Sequence, residues 1–320
     1  MCSSRVTVIV VNFNGGELLR QCVERLLEQS YRPTRILVMD NGSSDSSAKN
    51  IAEMPGVTVR YLGENLGFAA ANNRALAECT TELVALLNPD AFAEPDWLAH
   101  LVATAEARPD VAAFGCRQMM HGVSGVLDGI GDIYHVSGLV RRRGYGRLQR
   151  PDDDVPTEIF SACAGAALYR RQALEEVGGF DEDYFCYVED VDLGFRLRLA
   201  GYTCLYVPDA IVHHVGSVSS GGRHSDFTLY HGHRNLVWTF FKDMPLPLLL
   251  AFLPLHFLLN ILSVVIFTVR GNGGVLIKSK WDAVRGIPAI LRKRRTIMRE
   301  RRASSLAILR VLGWSIGETK

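Results

Sequence analysis

Residues 6–16 read VTVIVVNFNGG, and this stretch decides the fold. The run Val6 to Val11 is β-branched throughout, the composition of a buried strand, and Asn12-Phe13-Asn14-Gly15-Gly16 closes it in a polar turn. Working outward, Glu17 to Gln29 places Leu18, Cys22 and Leu26 on one helical face. Further strand-like runs follow at Arg35 to Met39, Val57 to Tyr61, Leu83 to Leu87 and Val111 to Phe114. Helical patterns separate them: an Ala-rich Phe68 to Glu78, and Asp96 to Ala107 carrying Trp97, Leu98, Leu101 and Val102. This βαβ rhythm predicts an α/β fold with a mostly parallel central sheet and helices on both faces. Gly122 to Arg150, rich in Gly and Arg, interrupts the rhythm as an insertion without a readable period.

The chain has 320 residues, 48% hydrophobic and 22% charged, a balance that excludes long disorder, collagen and a disulfide scaffold. Seven cysteines, an odd number without a C-x-x-C pair, point to a reducing environment. The first apolar run is too short for a signal-peptide core, so the first domain is expected to stay inside the cell. A net charge of +1 conceals an asymmetry: residues 270–320 hold 13 Lys and Arg against 3 Asp and Glu, leaving 22 against 31 for the remainder. Just before that basic tail, the 26 residues Met244 to Val269 carry no formal charge if His256 is neutral, long enough to cross a bilayer. Pro245, Pro247, Pro254, His256 and Asn260 argue against a plain span. A single crossing would also put the basic tail outside, against the positive-inside tendency. The expectation is a helix-break-helix that dips into or lies on the inner leaflet, the alternative being a buried helix pair of a soluble protein.

In open parallel sheets ligands bind beyond the carboxyl ends of the strands. Here those ends carry Asn12 to Gly16, Asp40-Asn41-Gly42-Ser43-Ser44-Asp45, Gly63-Glu64-Asn65-Leu66-Gly67 and Asn88-Pro89-Asp90. Asp-Asn-Gly and Asn-Pro-Asp are also turn and N-cap chemistry, and for any one loop that explanation is at least the equal of a ligand contact. Four such loops on one edge favour a polar ligand. The chain lacks a G-x-x-x-x-G-K-[ST] loop, a G-x-G-x-x-G after the first strand and a G-x-S-x-G elbow, which disfavours kinase-type ATPases, ordinary NAD dehydrogenases and α/β-hydrolases.

Four blocks, Val6 to Gly15, Val38 to Asp45, Glu64 to Ala69 and Leu87 to Asp90, together with Gly178 to Arg196 (GGFDEDYFCYVEDVDLGFR), resemble the family 2 inverting glycosyltransferases of the GT-A fold. Their order is similar to that of the rhamnosyltransferase-like branch. The resemblance runs over about residues 5 to 240 and implies roles residue by residue. Asn88-Pro89-Asp90 stands where the family has its Asp-x-Asp metal motif, with Asn in first place. Asp90 would then ligate Mg²⁺ or Mn²⁺, unless it is only a helix cap. Asp40 is similar to the acidic residue that reads the donor base or ribose. Asn12, Asn14, Asn65, Gly67, Asn73 and Asn88 join it as nucleotide-binding candidates, with turn formation or a helix boundary as the plainer explanation.

Asp190, in second place of Glu189-Asp190, resembles the family's catalytic base, with Glu189 an acceptor contact. The plainer explanation is a charged first helical turn, to which Asp192 also belongs. In Asp209 to Ser217, His214 fits a downstream metal or diphosphate ligand and His213 is its alternate, since only one of two neighbours on a strand can face the site. His231-Gly-His-Arg234-Asn235 loosely resembles a diphosphate-contacting motif of processive relatives, making Arg234 a candidate clamp.

The resulting expectation is a GT-A catalytic domain over residues 1–225 and a membrane-associating helical region over residues 226–320, on the cytoplasmic face of the cell membrane. The expected substrates are a dTDP- or UDP-linked sugar, with rhamnose as the branch-level choice, and a lipid-linked or saccharide acceptor of cell-envelope polysaccharide synthesis; nucleic acid is not an expected partner. A noncatalytic sugar-nucleotide-binding subunit and a nucleotidyltransferase are the rival readings.

Overall fold

The computed structural model describes residues 6–216 and 225–315. The first half contains β1 (Val6–Asn12), α1 (Gly16–Leu27), β2 (Arg35–Asp40), α2 (Ser47–Ile51), β3 (Val57–Tyr61), α3 (Gly67–Leu76), β4 (Leu83–Leu87), β5 (Ala91–Ala93), α4 (Trp97–Ala107) and β6 (Val111–Met120). The insertion supplies three short strands, β7 (Leu127–Gly129), β8 (Asp132–Tyr134) and β9 (Val140–Arg142). After it come β10 (Thr157–Glu158), β11 (Ala166–Arg170), α5 (Arg171–Glu176), α6 (Glu189–Leu199) and β12 (Thr203–His214). Four helices end the described chain: α7 (Asp226–Asp243), α8 (Leu246–Val269), α9 (Gly273–Glu300) and α10 (Ser305–Val311).

The sheet runs β10-β12-β6-β11-β4-β1-β2-β3, with β5 added to β12 and β7 to β6. β3, β2, β1 and β4 are parallel, as are β6 and β12; β11 joins the two groups antiparallel to both neighbours. Strand alternation explains the two-sided core. Val6, Val8 and Val10 face Leu19, Cys22, Val23 and Leu26 of α1, while Ile9 and Val11 face the small residues Ala69, Ala71 and Ala75 of α3. Three parallel strands therefore end together at Asn12, Asp40 and Leu87, and their following loops share one edge.

The C-terminal region corrects one expectation. Met244 to Val269 does not break at its prolines: α8 is continuous, about 36 Å long at the usual rise. Pro245 caps the helix and Pro247 lies in the first turn, where no backbone donor is needed. Pro254 lies inside and leaves the carbonyl of Leu250, an exposed residue, without its usual partner. The reversal falls at Arg270 to Asn272, where Gly271 has φ +90°. α8 turns His256 to the protein side. His256 donates from Nδ1 to the Ser137 carbonyl at 2.8 Å and stacks on Phe240 at 3.9 Å, and Asn260 bonds the His256 carbonyl. After α10 the chain returns to the insertion, where Gly313 exchanges backbone hydrogen bonds with Tyr134 and Val136.

Candidate active site

The first two loops lock together through side chains. Asn12, fully buried, donates from Nδ2 to Asp40 at 2.9 Å, to Ser43 at 3.0 Å and to Ser47 at 2.9 Å, and accepts from the Gly15 N–H. Asn14, at φ +52°, accepts from the Ser44 N–H at 2.8 Å. Both asparagines thus build the loops, and Asn12 aims one oxygen of Asp40. Asn65 does similar work: its carbonyl accepts from Asn41 and from the Gly67 N–H, each at 2.9 Å. Gly67 has φ +83°, and a Cβ there would lie 2.5 Å from the Phe185 carbonyl oxygen. The missing side chain lets Phe185 approach the start of α3.

β4 leads into Asn88-Pro89-Asp90, which meets the first loop: a Cβ on Gly15 would sit 3.5 Å from Pro89 Cβ. β5 follows at once and pairs antiparallel with β12 so that His214 lies opposite Ala91. That register brings His214 to Asp90, with Nε2 3.3 Å from Oδ1. Strand alternation turns His213 to the other face, 3.0 Å from Glu94 in a cleft shared with Arg20 and His121. The His214 Nδ1 is held at 2.8 Å by Asp128 of β7, and Asp128 in turn pairs with Arg142 of β9. Burial favours a neutral ring, yet the hydrogen bond to Asp128 and the nearness of Asp90 raise the His214 pKa to about 9. Nε2 is buried and makes no hydrogen bond among the described residues. A hard carboxylate and an imidazole nitrogen turned to one point, the ring fixed from behind by a second carboxylate, fit a divalent cation. No group of three ligating side chains occurs among the described residues.

Asp190 lies in the first turn of α6. It accepts from the Ala164 N–H at 3.1 Å and the Val191 N–H at 2.8 Å. Gly165, next to Ala164, accepts from the Asn88 N–H at 2.8 Å, so the Asp190 carboxylate and the Asn88 to Asp90 loop meet across two neighbouring residues. Burial first, then the charge of Asp190, push Glu189 well above the usual carboxylate range, and its Oε2 has no hydrogen-bond partner among the described residues. Glu189 is thus buried beside the carboxyl group of Asp190, with its protonated form favoured by both burial and that neighbour. Asp192 lies apart from them, paired with Arg196 and Lys242.

Two candidates fall elsewhere. Asn73 bonds the backbone of Phe180 in both directions, at 2.8 and 2.9 Å, and ties α3 to the 178–184 loop. Arg234 donates to the carbonyls of Asp183 and Tyr184 and stacks 4.2 Å over Trp238. Its fork supports the loop ahead of Asp190. The insertion supplies groups that the sequence pattern missed. Arg142 reaches Asp128 and Cys163; Asp132, opposite it in the β8–β9 pair, bonds Ser161 at 3.0 Å and is raised to about 7 by burial and the charge of Asp190. Only the unusual Gly and Arg content of Gly122 to Arg150 marked them.

A parallel sheet edge, a paired Asp90 and His214 and a carboxylate at a helix start are compatible with a nucleotide-sugar transferase. The glycosyl transferase family 2 profile matches residues 7–178. The chain is 30% identical over 240 residues to N-acetylglucosaminyl-diphospho-decaprenol L-rhamnosyltransferase of Mycobacterium tuberculosis, covering 67% of this chain and 77% of that one. Among solved structures, GalNAc-T7 with UDP, GalNAc and Mn²⁺ superposes with a TM-score of 0.60 at 16% identity, covering 74% of this chain and 48% of that one. The mannosyltransferase PcManGT from Pyrobaculum calidifontis, in complex with GDP-Man and Mn²⁺, gives 0.56 at 20% identity, covering 96% and 85%. These last two establish the GT-A fold. The chain belongs to glycosyl transferase family 2 and is a glycosyltransferase.

Proposed function

We propose that this glycosyltransferase inverts the anomeric centre as it moves a sugar, rhamnose by its likeness to the mycobacterial relative, from a nucleoside diphosphate to a lipid-linked acceptor at the cytoplasmic face of the membrane. Asp40, aimed by Asn12, binds the nucleoside. Asp90 and His214 would hold Mg²⁺ or Mn²⁺, which when bound neutralises charge on the departing diphosphate. Asp190 accepts the proton of the acceptor hydroxyl, and neutral Glu189 donates a hydrogen bond to the acceptor. The observation that supports the reading is the link from the Asn88 to Asp90 loop through Gly165 and Ala164 to the Asp190 carboxyl group.

Membrane attachment is supported by the outward face of α8. Leu250, Phe257, Leu258, Ile261 and Val265 are all exposed, and Trp281 of α9 and Trp314 after α10 add aromatic surface. Such an apolar face beside a basic tail suits an anionic leaflet. A panel of UDP-, dTDP- and GDP-sugars incubated with the chain and a membrane extract, with Mn²⁺ or a chelator, tests the reaction. Transfer should require the metal and the membrane fraction and give the inverted linkage. Retention of configuration, or hydrolysis with no transfer to any lipid, would overturn the proposal.

A further inference from the structure

The backbone that delivers Asp190 is held in an unfavourable shape. Phe185, Tyr187 and Val188 have φ of +64°, +69° and +69°. No residue of this stretch is glycine, and a β-branched valine in the left-handed region is a costly exception. Strain of this kind persists only where neighbouring structure enforces it. One face of α7 does so. Asn235, Thr239 and Lys242, spaced i, i+4 and i+7, are fully buried, and all three address the segment 181–192. The Asn235 Nδ2 donates to the carbonyls of Tyr184 at 3.0 Å, Cys186 at 3.0 Å and Tyr187 at 2.7 Å. Thr239 meets the Tyr184 hydroxyl at 2.9 Å and returns its own proton to the Asn235 carbonyl. Lys242 pairs with Asp181 and Asp192, on either side of the strained turn. From the opposite side α3 closes on Phe185, whose carbonyl accepts from the Ala69 N–H at 3.3 Å.

We propose that this buried polar stripe of α7 is a clamp that stores the strain of residues 185–188 and thereby fixes Asp190 in its reactive position, with Asn235 as the positioning residue. The first helix of the C-terminal region is then part of the catalytic apparatus as well as a connection to the membrane-facing helices. The inference rests on the reading of Asp190 as the base. Asn235→Asp keeps the size of the side chain and replaces its donor by an acceptor, so it sets a carboxylate against carbonyl oxygens.

The test compares the full chain, Asn235→Asp, the double variant Asn235→Asp with Val188→Gly, and Asp190→Asn. Each is assayed with the same nucleotide-sugar panel and membrane extract and by hydrogen exchange. Asn235→Asp should lower kcat about 100-fold, the usual penalty for displacing a reacting group by about 1 Å. The donor KM should stay within about twofold, and amides of 184–192 should lose protection while those of β1 and β4 keep theirs. Glycine adopts positive φ without the steric cost, so the double variant should recover about tenfold in kcat. Unchanged exchange at 184–192, a raised KM with kcat intact, or no recovery with glycine would overturn the clamp. Should Asn235→Asp fail to fold, Thr239→Val replaces it, with a smaller kcat loss expected and an unchanged kcat as the contrary result. Full turnover by Asp190→Asn would reject the base, whereas the exchange and kcat response of Asn235→Asp would still decide the clamp.

Discussion

Asp128 and Arg142 change what a substitution at the proposed cation locus should do. Because Asp128 holds the Nδ1 side of His214 and Arg142 holds Asp128, the imidazole is oriented through two charged links. Asp128→Asn should weaken Mn²⁺ binding by about 10- to 100-fold, the usual loss when a ligand's supporting carboxylate is removed. Electron paramagnetic resonance titration of the free chain reads this directly, and an unchanged affinity would remove Asp128 from the site. Asp190→Asn belongs to a different class: kcat should fall by about 10² or more, while nucleotide-sugar binding measured by calorimetry stays within about twofold. Strand alternation told from the sequence that only one of His213 and His214 could face the site, and the structure turns His214 to Asp90 and His213 to Glu94. Asp128 and Arg142 were not legible in this way, because they lie on three-residue strands without a period and reach the site only through pairing of β7 with β6 and of β8 with β9.

At the scale of the element, the helices differ in how much of their role the sequence revealed. α1, α3 and α4 carried their apolar faces openly, and the strands between them carried β-branched runs; the parallel half of the sheet follows from these. The antiparallel strand β11 followed no such pattern, since its place is set by partners on both sides. α8 misled through its prolines, two of which occupy positions where a missing donor costs nothing. α7 makes a pH prediction. Burial first, then Arg234, lower His231 to about 4, and burial with Lys280 lowers His233 to about 3. The folded chain keeps both rings neutral, whereas the unfolded chain protonates them near 6.5. The unfolded state thus binds more protons below that value, and the stability present above it is lost as pH falls toward 4. At pH 5 these two rings no longer supply the stability they supply at pH 7.5, so His233→Gln should raise the denaturant midpoint at pH 5 relative to that at pH 7.5 when compared with the unsubstituted chain, and an identical pH dependence of the two would contradict it. On α8, Leu258→Glu on the outward face should lower the fraction that pellets with membranes without changing the melting temperature by more than a degree or two; an unaltered pellet would argue against contact by this face.

Across the whole molecule, acidic and basic charge are segregated, with the cationic excess in residues 270–320 and the anionic excess before it. Part of the excess is used internally, since Lys293 pairs with Asp181 and Asp183 and Arg302 with Glu176. The remainder is screened by salt, but the apolar face of α8 is not. Washing membranes with high salt should leave most of the chain attached, whereas complete release by salt alone would limit attachment to electrostatics. The return of the chain at Gly313 to Tyr134 and Val136 has a consequence for biosynthesis. The hairpin that carries Asp132 and Arg142 gains this backbone partner from a residue made after α8. Synthesis proceeds from the amino end, so the greasy helix can meet a bilayer before the catalytic floor is sealed, and a nascent chain halted short of Gly313 should engage lipid while still failing to turn over sugar.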